Sequence, residues 1–241
     1  MSFFGCFIKF GKKEHIINFH AKGQMRFGPV DEFAKMEDGN LRGDELENVA
    51  ELKYFGDSKI YLKPVNAPDS EYKSLDAVNA KMMSRYTEPI GHLFCLYAIN
   101  ADRKSINTTF RIDASVKGFG EYFMIIKDTD EFLRRIRIAM DKQKWKWSYS
   151  MVEYVDFTKY NGKKTVFQKD IKYSYQREFR VFIKNKASNP LFLEIGDLSD
   201  ISVICETRIV DTLEFLLGQN EKQQYAFYTN LQEVKKIIHV L

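Results

Sequence analysis

Three polar side chains that could act together are Gln176, Glu178 and Arg180, within the stretch KYSYQREFRVFI over residues 172–183. This stretch has the composition of a β-strand, and successive side chains of a strand point to opposite faces. The three polar residues would therefore share one face, where the guanidinium keeps the Glu178 carboxyl ionised. That face is either a solvent-exposed ion pair or the wall of a site. The opposite face would belong to the core and carry Phe179, Val181 and Ile183.

A second candidate group lies in LRGDELENV, residues 41–49. Asp44 is suited to cap a helix that begins at Glu45. Alternatively, Arg42 and Asp44 reach the same cleft as Glu178, and Arg42 binds a phosphate there through two parallel hydrogen bonds. The acidic residues of this segment, together with Glu178, also allow a metal-dependent nuclease, which needs carboxylates that converge on one cation.

The stretch RRIRIAMDKQKWKWSYS concentrates basic and aromatic residues. Alternation of Lys and Trp is typical of a strand with cations on one face and indole rings on the other. In one interpretation the indoles belong to the core and the cations are solvated. In the other, the cations follow a nucleic-acid backbone and the rings stack on bases. The candidate nucleic-acid-binding residues are Arg134, Arg135, Lys144, Trp145, Lys146 and Trp147.

Composition limits the classes of site, partner and compartment. The three cysteines are far apart among apolar residues, which predicts buried free thiols, and neither CxxC nor HExxH occurs, so no structural zinc site is expected. The net charge of +4 permits a nucleic-acid partner without requiring one. No apolar run approaches the roughly 20 residues of a membrane helix, and the N-terminal charges follow the apolar part, the reverse of a secretory signal. We therefore expect a cytoplasmic protein with no membrane contact.

The elements that must position these residues begin with a strand, a helix and a second strand. FFGCFIKF over residues 3–10 is typical of a strand, KKEHIINFHAK of a helix that stops at Gly23, and QMRF of a strand that ends at Gly28-Pro29. The clearest helix is DTDEFLRRIRIAMDKQKW, for which we expect Thr129 as the N-cap and one buried apolar stripe.

Further apolar runs and turn signals predict the rest of the fold. Residues 53–86 are expected to form a hairpin and then a helix. Strands are expected in IGHLFCLYAI, EYFMIIK, SYSMVEYVDF, REFRVFI, LFLEI and ISVICE, and closing helices in TLEFLLG and LQEVKKIIHVL. We expect a single α+β domain over residues 1–241, with a mixed, partly antiparallel sheet and flanking helices. Residues 207–241 are a candidate C-terminal helical extension.

The spacing of Gln176 and Glu178, at the start of a late strand after a polar loop, resembles the last motif of mono-ADP-ribosyltransferases. The opening FIKFGKKEHIINFHAKGQMRF is similar to the strand–helix–glycine–strand opening of that family. The resemblance implies an ADP-ribosyltransferase-like fold and NAD as the cofactor. It implies that Glu178 is catalytic, hydrogen-bonding the nicotinamide ribose and stabilising an oxocarbenium-like transition state. Gln176 would orient the acceptor, Arg180 would share the catalytic face, and the loop FQKDIKYSY would contact the target.

The same resemblance implies NAD-binding positions, at which this chain departs from the family. The family has an Arg or His at the end of the first strand to hold NAD, and this chain has Lys9 there. Where the family has a Ser-Thr-Ser-like motif, the strand CLYAIN carries Tyr97. With Arg42 and Asp44 from the second candidate group, the candidate cofactor-binding residues are Lys9, Tyr97, Arg42 and Asp44.

The chain as a whole resembles a group of uncharacterised bacterial proteins that are associated with defence against phage. The segments that carry this resemblance are IKFGKKEH, GDELENV and SYQREFRV…LEIGDLSDI. It implies a toxin or defence effector that acts on a nucleic acid or a protein, with an antitoxin or another defence-system protein as partner.

Three functions are open from the sequence, and each predicts a different environment for Glu178. A transferase requires Glu178 to face a cleft with Arg or Tyr side chains around it. A non-catalytic binding protein, which contacts nucleic acid or a partner protein, predicts that Glu178 is exposed or ion-paired and that no pocket is present. A metal-dependent nuclease requires at least two further carboxylates within about 5 Å of Glu178.

Overall fold

The computed structural model describes residues 2–36, 43–66, 69–105, 107–219 and 225–230. The α-helices of this part of the chain are α1 (Lys13–Lys22), α2 (Val30–Ala34) and α3 (Thr129–Lys142). The strands are β1 (Ser2–Gly11), β2 (Gln24–Pro29), β3 (Val49–Leu62), β4 (Lys73–Arg85), β5 (His92–Asp102), β6 (Thr109–Arg111), β7 (Tyr122–Ile126), β8 (Trp147–Met151), β9 (Glu153–Val155), β10 (Gly162–Lys163), β11 (Gln168–Asp170), β12 (Glu178–Ile183), β13 (Leu191–Glu194), β14 (Ser202–Glu206), β15 (Glu214–Gln219) and β16 (Tyr225–Thr229).

One large sheet organises the molecule. Its strands run in the order β13-β2-β5-β1-β7-β14, and β12 adds to β5 with β8 beyond it. Every pairing in this sheet is antiparallel, and β9 with β11 is the one parallel pair among the described strands. The described part of the chain is therefore a single α+β domain with mostly antiparallel sheets and few helices. The predicted fold class, a single α+β domain, is confirmed.

The large sheet splits along one edge of β5. From Asp102 to Tyr97 this edge pairs with β1, and at Leu93 and His92 it pairs with β2. Residues 94–96 pair with neither strand there, while the opposite edge of β5 pairs with β12 along the same stretch. Because β1 and β2 diverge at this point, the backbone of β5 borders a gap between them.

Hydrophobic clusters cover both faces of this sheet. On one face the strands pack against α1 and α3, and the strand residues Phe179, Val181 and Ile183 belong to this core, as predicted. On the other face Ile8, Ile99 and neighbouring residues pack against the segments that follow β6 and β14. The buried, antiparallel β12 therefore has an apolar side chain row on the helix side and a polar row on the opposite side.

The opening strand–helix–strand unit is confirmed. Ile16 and Phe19 of α1 are buried, which matches the helical spacing read from the sequence. The helix ends at Gly23, which has a left-handed φ of 61° and donates its backbone N–H to the Phe19 carbonyl at 2.9 Å. A left-handed residue after the last helical turn is the usual position of glycine, because it has no Cβ to strain.

Helix α3 is also confirmed, with one correction at its start. The N-cap is Asp128, whose carboxylate accepts a hydrogen bond from the Glu131 backbone N–H at 2.9 Å. Thr129, the predicted N-cap, is already the first helical residue. An aspartate at this position also favours the positive end of the helix. The buried stripe consists of Phe132, Ile136 and Met140, together with Thr129 at the helix start.

The structure corrects the predicted secondary structure of three further segments. The expected helix within 53–86 is β4, which pairs with β3 in a long hairpin. TLEFLLG is β15 instead of a helix, because Phe215 and Leu217 are buried and alternate with the exposed Leu216 while the strand pairs with β6 and β16. SYSMVEYVDF forms two strands, β8 and β9, separated at Val152.

The remaining predictions near the C-terminus are only partly described. The described part of 207–241 is a 3₁₀ turn followed by the β15–β16 hairpin. LQEVKKIIHVL lies outside the described residues. In the described part of the chain, none of the helices has the length and apolar character needed to span a membrane.

Candidate functional site

Gln176, Glu178 and Arg180 are all buried, although the expected strand over 172–183 begins only at Glu178. Residues Ile171–Gln176 form a 3₁₀ turn, and Arg177 follows with a left-handed φ of 39°. The Asp170 carboxylate accepts from the Lys172 backbone N–H at 3.0 Å and so caps this turn. This turn, and not the alternation of side chains along a strand, places Gln176 beside Glu178 at the start of β12.

Arg180 lies between two buried carboxylates. Its Nε donates to Glu178 Oε1 at 2.8 Å, and its Nη1 donates to Glu47 Oε2 at 3.0 Å. Its Nη2 also donates to Glu47 Oε1. The Arg180 and Glu47 side chains are each 1% exposed. Such a pair is stabilising only when its hydrogen bonds are complete, because both charges lose their hydration.

Lys169 connects Gln176 to Glu178. Its Nζ donates to Gln176 Oε1 at 2.8 Å and to Glu178 Oε2 at 3.4 Å, and it lies 4.8 Å from the centre of the Tyr173 ring. A second buried lysine, Lys164, has its Nζ 3.8 Å from Glu47. The polar face predicted for β12 is therefore a buried charge network in which each carboxylate has two cationic neighbours.

The network holds its carboxylates in the ionised form. Burial alone would raise the pKa of Glu178, but the charges of Arg180 and Lys169 hold it well below its usual range. Glu47 behaves in the same way: burial opposes ionisation, and the Arg180 and Lys164 charges lower its pKa. Burial disfavours the charged form of Arg180, and the two glutamates raise its pKa well above its ordinary value.

The strand β5 supplies the neighbours of this network. Tyr97 lies directly opposite Glu178, and Cys95 lies opposite Arg180. Burial and the Glu178 charge raise the pKa of the Cys95 thiol, which keeps it protonated. The Tyr154 hydroxyl accepts a hydrogen bond from the Glu178 backbone N–H at 2.8 Å. Burial, followed by the Glu178 charge, raises the pKa of this tyrosine, so it stays neutral.

The polar face of β12 opens onto a cleft of about 1360 Å³ at the split between β1 and β2. Lys9 on β1 donates from its Nζ to the Cys95 carbonyl at 2.8 Å, in the part of β5 that neither β1 nor β2 covers. The polar residues that line the cleft include Gln176, Glu178, Arg180, Lys9, Tyr97 and Lys169. The cleft therefore brings together the three candidate catalytic residues and two of the four candidate cofactor-binding residues.

Of the other two candidate cofactor-binding residues, Asp44 does not line this cleft. Asp44 is buried near Glu47, and its carboxylate accepts from the Leu46 backbone N–H at 2.9 Å. It stabilises a turn before β3, so the predicted helix from Glu45 is wrong. Burial, together with the Glu47 charge, raises the pKa of Asp44. Arg42 lies outside the described residues.

The basic and aromatic stretch lies on α3 and in the segment that follows it, and none of its six candidate residues lines the cleft. Both Nε and Nη2 of Arg134 donate to Glu131 at 2.6 and 2.7 Å, and Arg135 pairs with Glu131 and Asp200. Trp145 and Trp147 are half-buried against the core. The expected strand alternation fails before Trp147, because Lys144 has a φ of 55° in a turn and Trp145 and Lys146 precede β8.

Three residues of the network were not predicted as parts of the site: Glu47, Lys164 and Lys169. Glu47 is 133 residues from Arg180 in the chain, a separation at which no spacing rule operates. Lys169 lies in the loop FQKDIKYSY that the resemblance assigned to target contact, but its burial within the three-residue strand β11 has no sequence signal. In the sequence analysis Glu47 was only one of the acidic residues of LRGDELENV that a metal-dependent nuclease could use together with Glu178.

The carboxylates of the network do not form a metal-binding group. Among the described residues, no set of three or more His, Cys, Asp or Glu side chains is arranged to hold a metal ion. The converging carboxylates that a metal-dependent nuclease requires around Glu178 are therefore not found in the described part of the chain.

Comparisons with known protein families, with curated proteins and with solved structures find no match to this chain.

Proposed function

We propose that this protein is an ADP-ribosyltransferase-like toxin or phage-defence effector that uses NAD to modify a nucleic acid or a protein. One observation carries the proposal: Gln176, Glu178 and Arg180 lie together on the wall of a cleft that Lys9 and Tyr97 also line. This is the environment that a transferase requires for Glu178. A [Gln/Glu]-x-Glu spacing alone would be a weak basis, because such triplets are frequent by chance.

The residues of the cleft fit a dinucleotide. The cleft volume of about 1360 Å³ exceeds the range of about 300–1,000 Å³ that is typical of small-molecule sites, so the cleft is large enough for a dinucleotide. Lys9 supplies a cation on β1, Tyr97 a partly polar ring, and Phe10 and Phe119 an aromatic contact with ring centroids 6.1 Å apart. Lys9, Tyr97 and the two phenylalanines would hold the dinucleotide beside Glu178.

The chemistry of this chain would centre on Glu178. Bound NAD supplies an ADP-ribosyl group that is joined to nicotinamide as leaving group. The Glu178 carboxylate is ionised and fixed in direction before any ligand binds, which is how a preorganised charge stabilises a developing positive charge. Arg180 donates to Oε1 of this carboxylate and Lys169 donates to Oε2, so both of its oxygens are held in place. Gln176 is fixed beside it and would orient the acceptor.

A second function has its own supporting observation. Glu178 is ion-paired with both Arg180 and Lys169, as expected for a non-catalytic binding protein in which the network is structural. That alternative expected no pocket beside Glu178, and the cleft favours the transferase. In either case an antitoxin or another defence-system protein is a candidate partner.

The test is transfer of label from NAD. Purified protein is incubated with NAD labelled in its adenylate part and with DNA, RNA or cell lysate, beside a Glu178→Ala control whose folding is checked by circular dichroism. We expect label on one class of target, lost in the control. A folded wild-type protein that transfers no label and releases no nicotinamide would support the binding protein instead.

A further inference from the structure

An exposed phenylalanine and an arginine lie side by side at the outer part of the cleft. Phe192 on β13 is directly opposite Arg26 on β2, and both line the cleft. Directly opposed residues of antiparallel strands place their side chains on the same face, about 4.5–5.5 Å apart at Cβ. Phe192 is 60% exposed, and among the described side chains only Phe55 is a comparably exposed phenylalanine. A ring that folding leaves mostly exposed is available for a ligand.

Arg26 is held in a fixed orientation. Its Nη2 donates to both carboxylate oxygens of Glu32, at 2.9 and 2.8 Å. The guanidinium is planar and stacks readily on flat rings. Because Glu32 already neutralises much of its charge, the flat face of Arg26 is a better surface for a base than for a phosphate.

The lining of the cleft carries a small excess of basic side chains, three of which are already paired with glutamates. It contains six lysines and arginines against four glutamates. The basic members are Lys9, Lys12, Lys13, Arg26, Lys169 and Arg180. A positively charged groove with aromatic side chains that stack on bases is the common design of proteins that bind single-stranded nucleic acid.

The inner end of the cleft offers hydrogen-bond donors. A lysine ammonium only donates, so the Gln176 atom that faces Lys169 is the oxygen Oε1 and the amide NH₂ points elsewhere. The Gln176 Nε2 donates to the Tyr175 hydroxyl at the long distance of 3.4 Å, so an acceptor on a ligand would share or replace that contact beside the cations Lys169 and Arg180. Nucleobases present carbonyl and ring-nitrogen acceptors that match donors, whereas a cationic arginine or lysine acceptor would meet like charge.

We infer that Phe192 and Arg26 form a stacking platform for a base of a single-stranded nucleic acid, which enters the cleft toward Gln176. That this single-stranded nucleic acid is also the target of ADP-ribosyl transfer rests on the proposed function. Binding of the strand does not require NAD, so the two can be tested separately.

The test measures binding of fluorescein-labelled single-stranded RNA and DNA of about twelve nucleotides, a length within the usual site sizes. Fluorescence anisotropy is recorded without NAD for the wild type, Phe192→Ala, Phe192→Trp and Arg26→Ala. Two matched controls lie outside the cleft: Phe55→Ala, also an exposed phenylalanine, and Arg111→Ala, also an arginine bonded to a glutamate. Thermal unfolding verifies that each variant is folded.

We expect Phe192→Ala to weaken binding about tenfold or more, and Arg26→Ala to weaken it several-fold, because one lost stack is worth about that much. Phe192→Trp keeps a stacking surface and should bind like the wild type. Both controls should stay within about twofold of the wild type. The inference is overturned if single strands do not bind, if Phe192→Ala binds normally, or if the controls weaken binding as much as the cleft variants. The binding measurement contains no NAD, so a failure of NAD turnover, which would count against the proposed function, leaves its result unchanged.

Discussion

Arg180 Nε donates to Glu178 Oε1 at 2.8 Å, and this pair is the buried centre of the polar face of β12. The two residues are two apart on one strand, so alternation places them on the same face. The Arg180 guanidinium also binds Glu47, in the turn that leads into β3. The pair therefore joins the wall of the cleft to the start of the long β3–β4 hairpin, and its integrity should determine both stability and the direction of the Glu178 carboxylate.

Arg180→Met should destabilise the fold by about 3–5 kcal/mol, because it leaves Glu47 and Glu178 buried without their main partner. Lys164→Met is the matched comparison. Lys164 is equally buried, but its Nζ makes no hydrogen bond within the described structure, and burial lowers its pKa. We expect the second variant to cost less than about 1 kcal/mol or to stabilise the fold. Urea unfolding near neutral pH measures the free energy of unfolding of both variants. Equal losses would contradict the claim that Arg180 stabilises the network more than Lys164 does.

Stability should decline in acid through Glu178 and Glu47. Each folded-state pKa lies below the unfolded value of about 4.3. Their contribution is therefore fully present above that value and is lost as the pH falls through the lower folded-state pKa. Glu178→Gln removes one of these groups, so the stability difference between wild type and variant should shrink from about pH 5 to pH 2. Chemical unfolding across this range tests the sign; a constant difference would refute it.

Lys169→Met should impair turnover more than ligand binding. Lys169 touches Gln176 and Glu178, so its removal releases both side chains from fixed positions. We expect kcat to fall about tenfold or more, as for other losses of positioning, with a smaller change in KM. Lys163→Met, an exposed lysine on β10, is the control and should behave as wild type. A larger effect on KM than on kcat would indicate that Lys169 binds the ligand directly.

Alanine substitutions at two glycines distinguish the stability cost of backbone strain from that of a steric clash. Gly23 and Gly196 both have positive φ, at 61° and 88°. A Cβ on Gly23 would lie 2.4 Å from the Gly196 carbonyl oxygen, whereas a Cβ on Gly196 would meet nothing within 4 Å. Gly196→Ala should cost about 1–2 kcal/mol from the backbone alone. Gly23→Ala should cost about 1–3 kcal/mol more because the chain must shift. Thermal unfolding of both variants measures the difference, and equal losses would be inconsistent with this packing.

The sequence predicted those parts of the fold whose signals are local. The first strand, α1 with Gly23, and α3 follow from periodicity and capping within about a dozen residues. The strands β4 and β15 were mistaken for helices because their partners lie elsewhere in the chain, and pairing with β3 or β6 overrides local propensity. Register and pairing of strands depend on such distant contacts.

Only part of the candidate site was predictable from the sequence. The spacing of Glu178 and Arg180 indicated a shared face, and this is correct. Gln176 reaches the site through a 3₁₀ turn and a left-handed Arg177, which the stretch YSYQRE does not reveal. Glu47 and Lys169 joined the network only in three dimensions, because a buried charge is identified by its partner and the partner is remote in sequence.

The measurement that tests the central claim most directly is the rate of nicotinamide release from NAD by the wild type, Glu178→Gln and Glu88→Gln. Glu88 is an exposed glutamate paired with Lys186, outside the cleft, and so controls for loss of an ion-paired carboxylate. If Glu178 acts on NAD, its variant should lose at least about 100-fold in rate while remaining folded, and Glu88→Gln should match the wild type. Equal rates in all three proteins, or no release by folded wild type with its nucleic-acid target present, would contradict the claim.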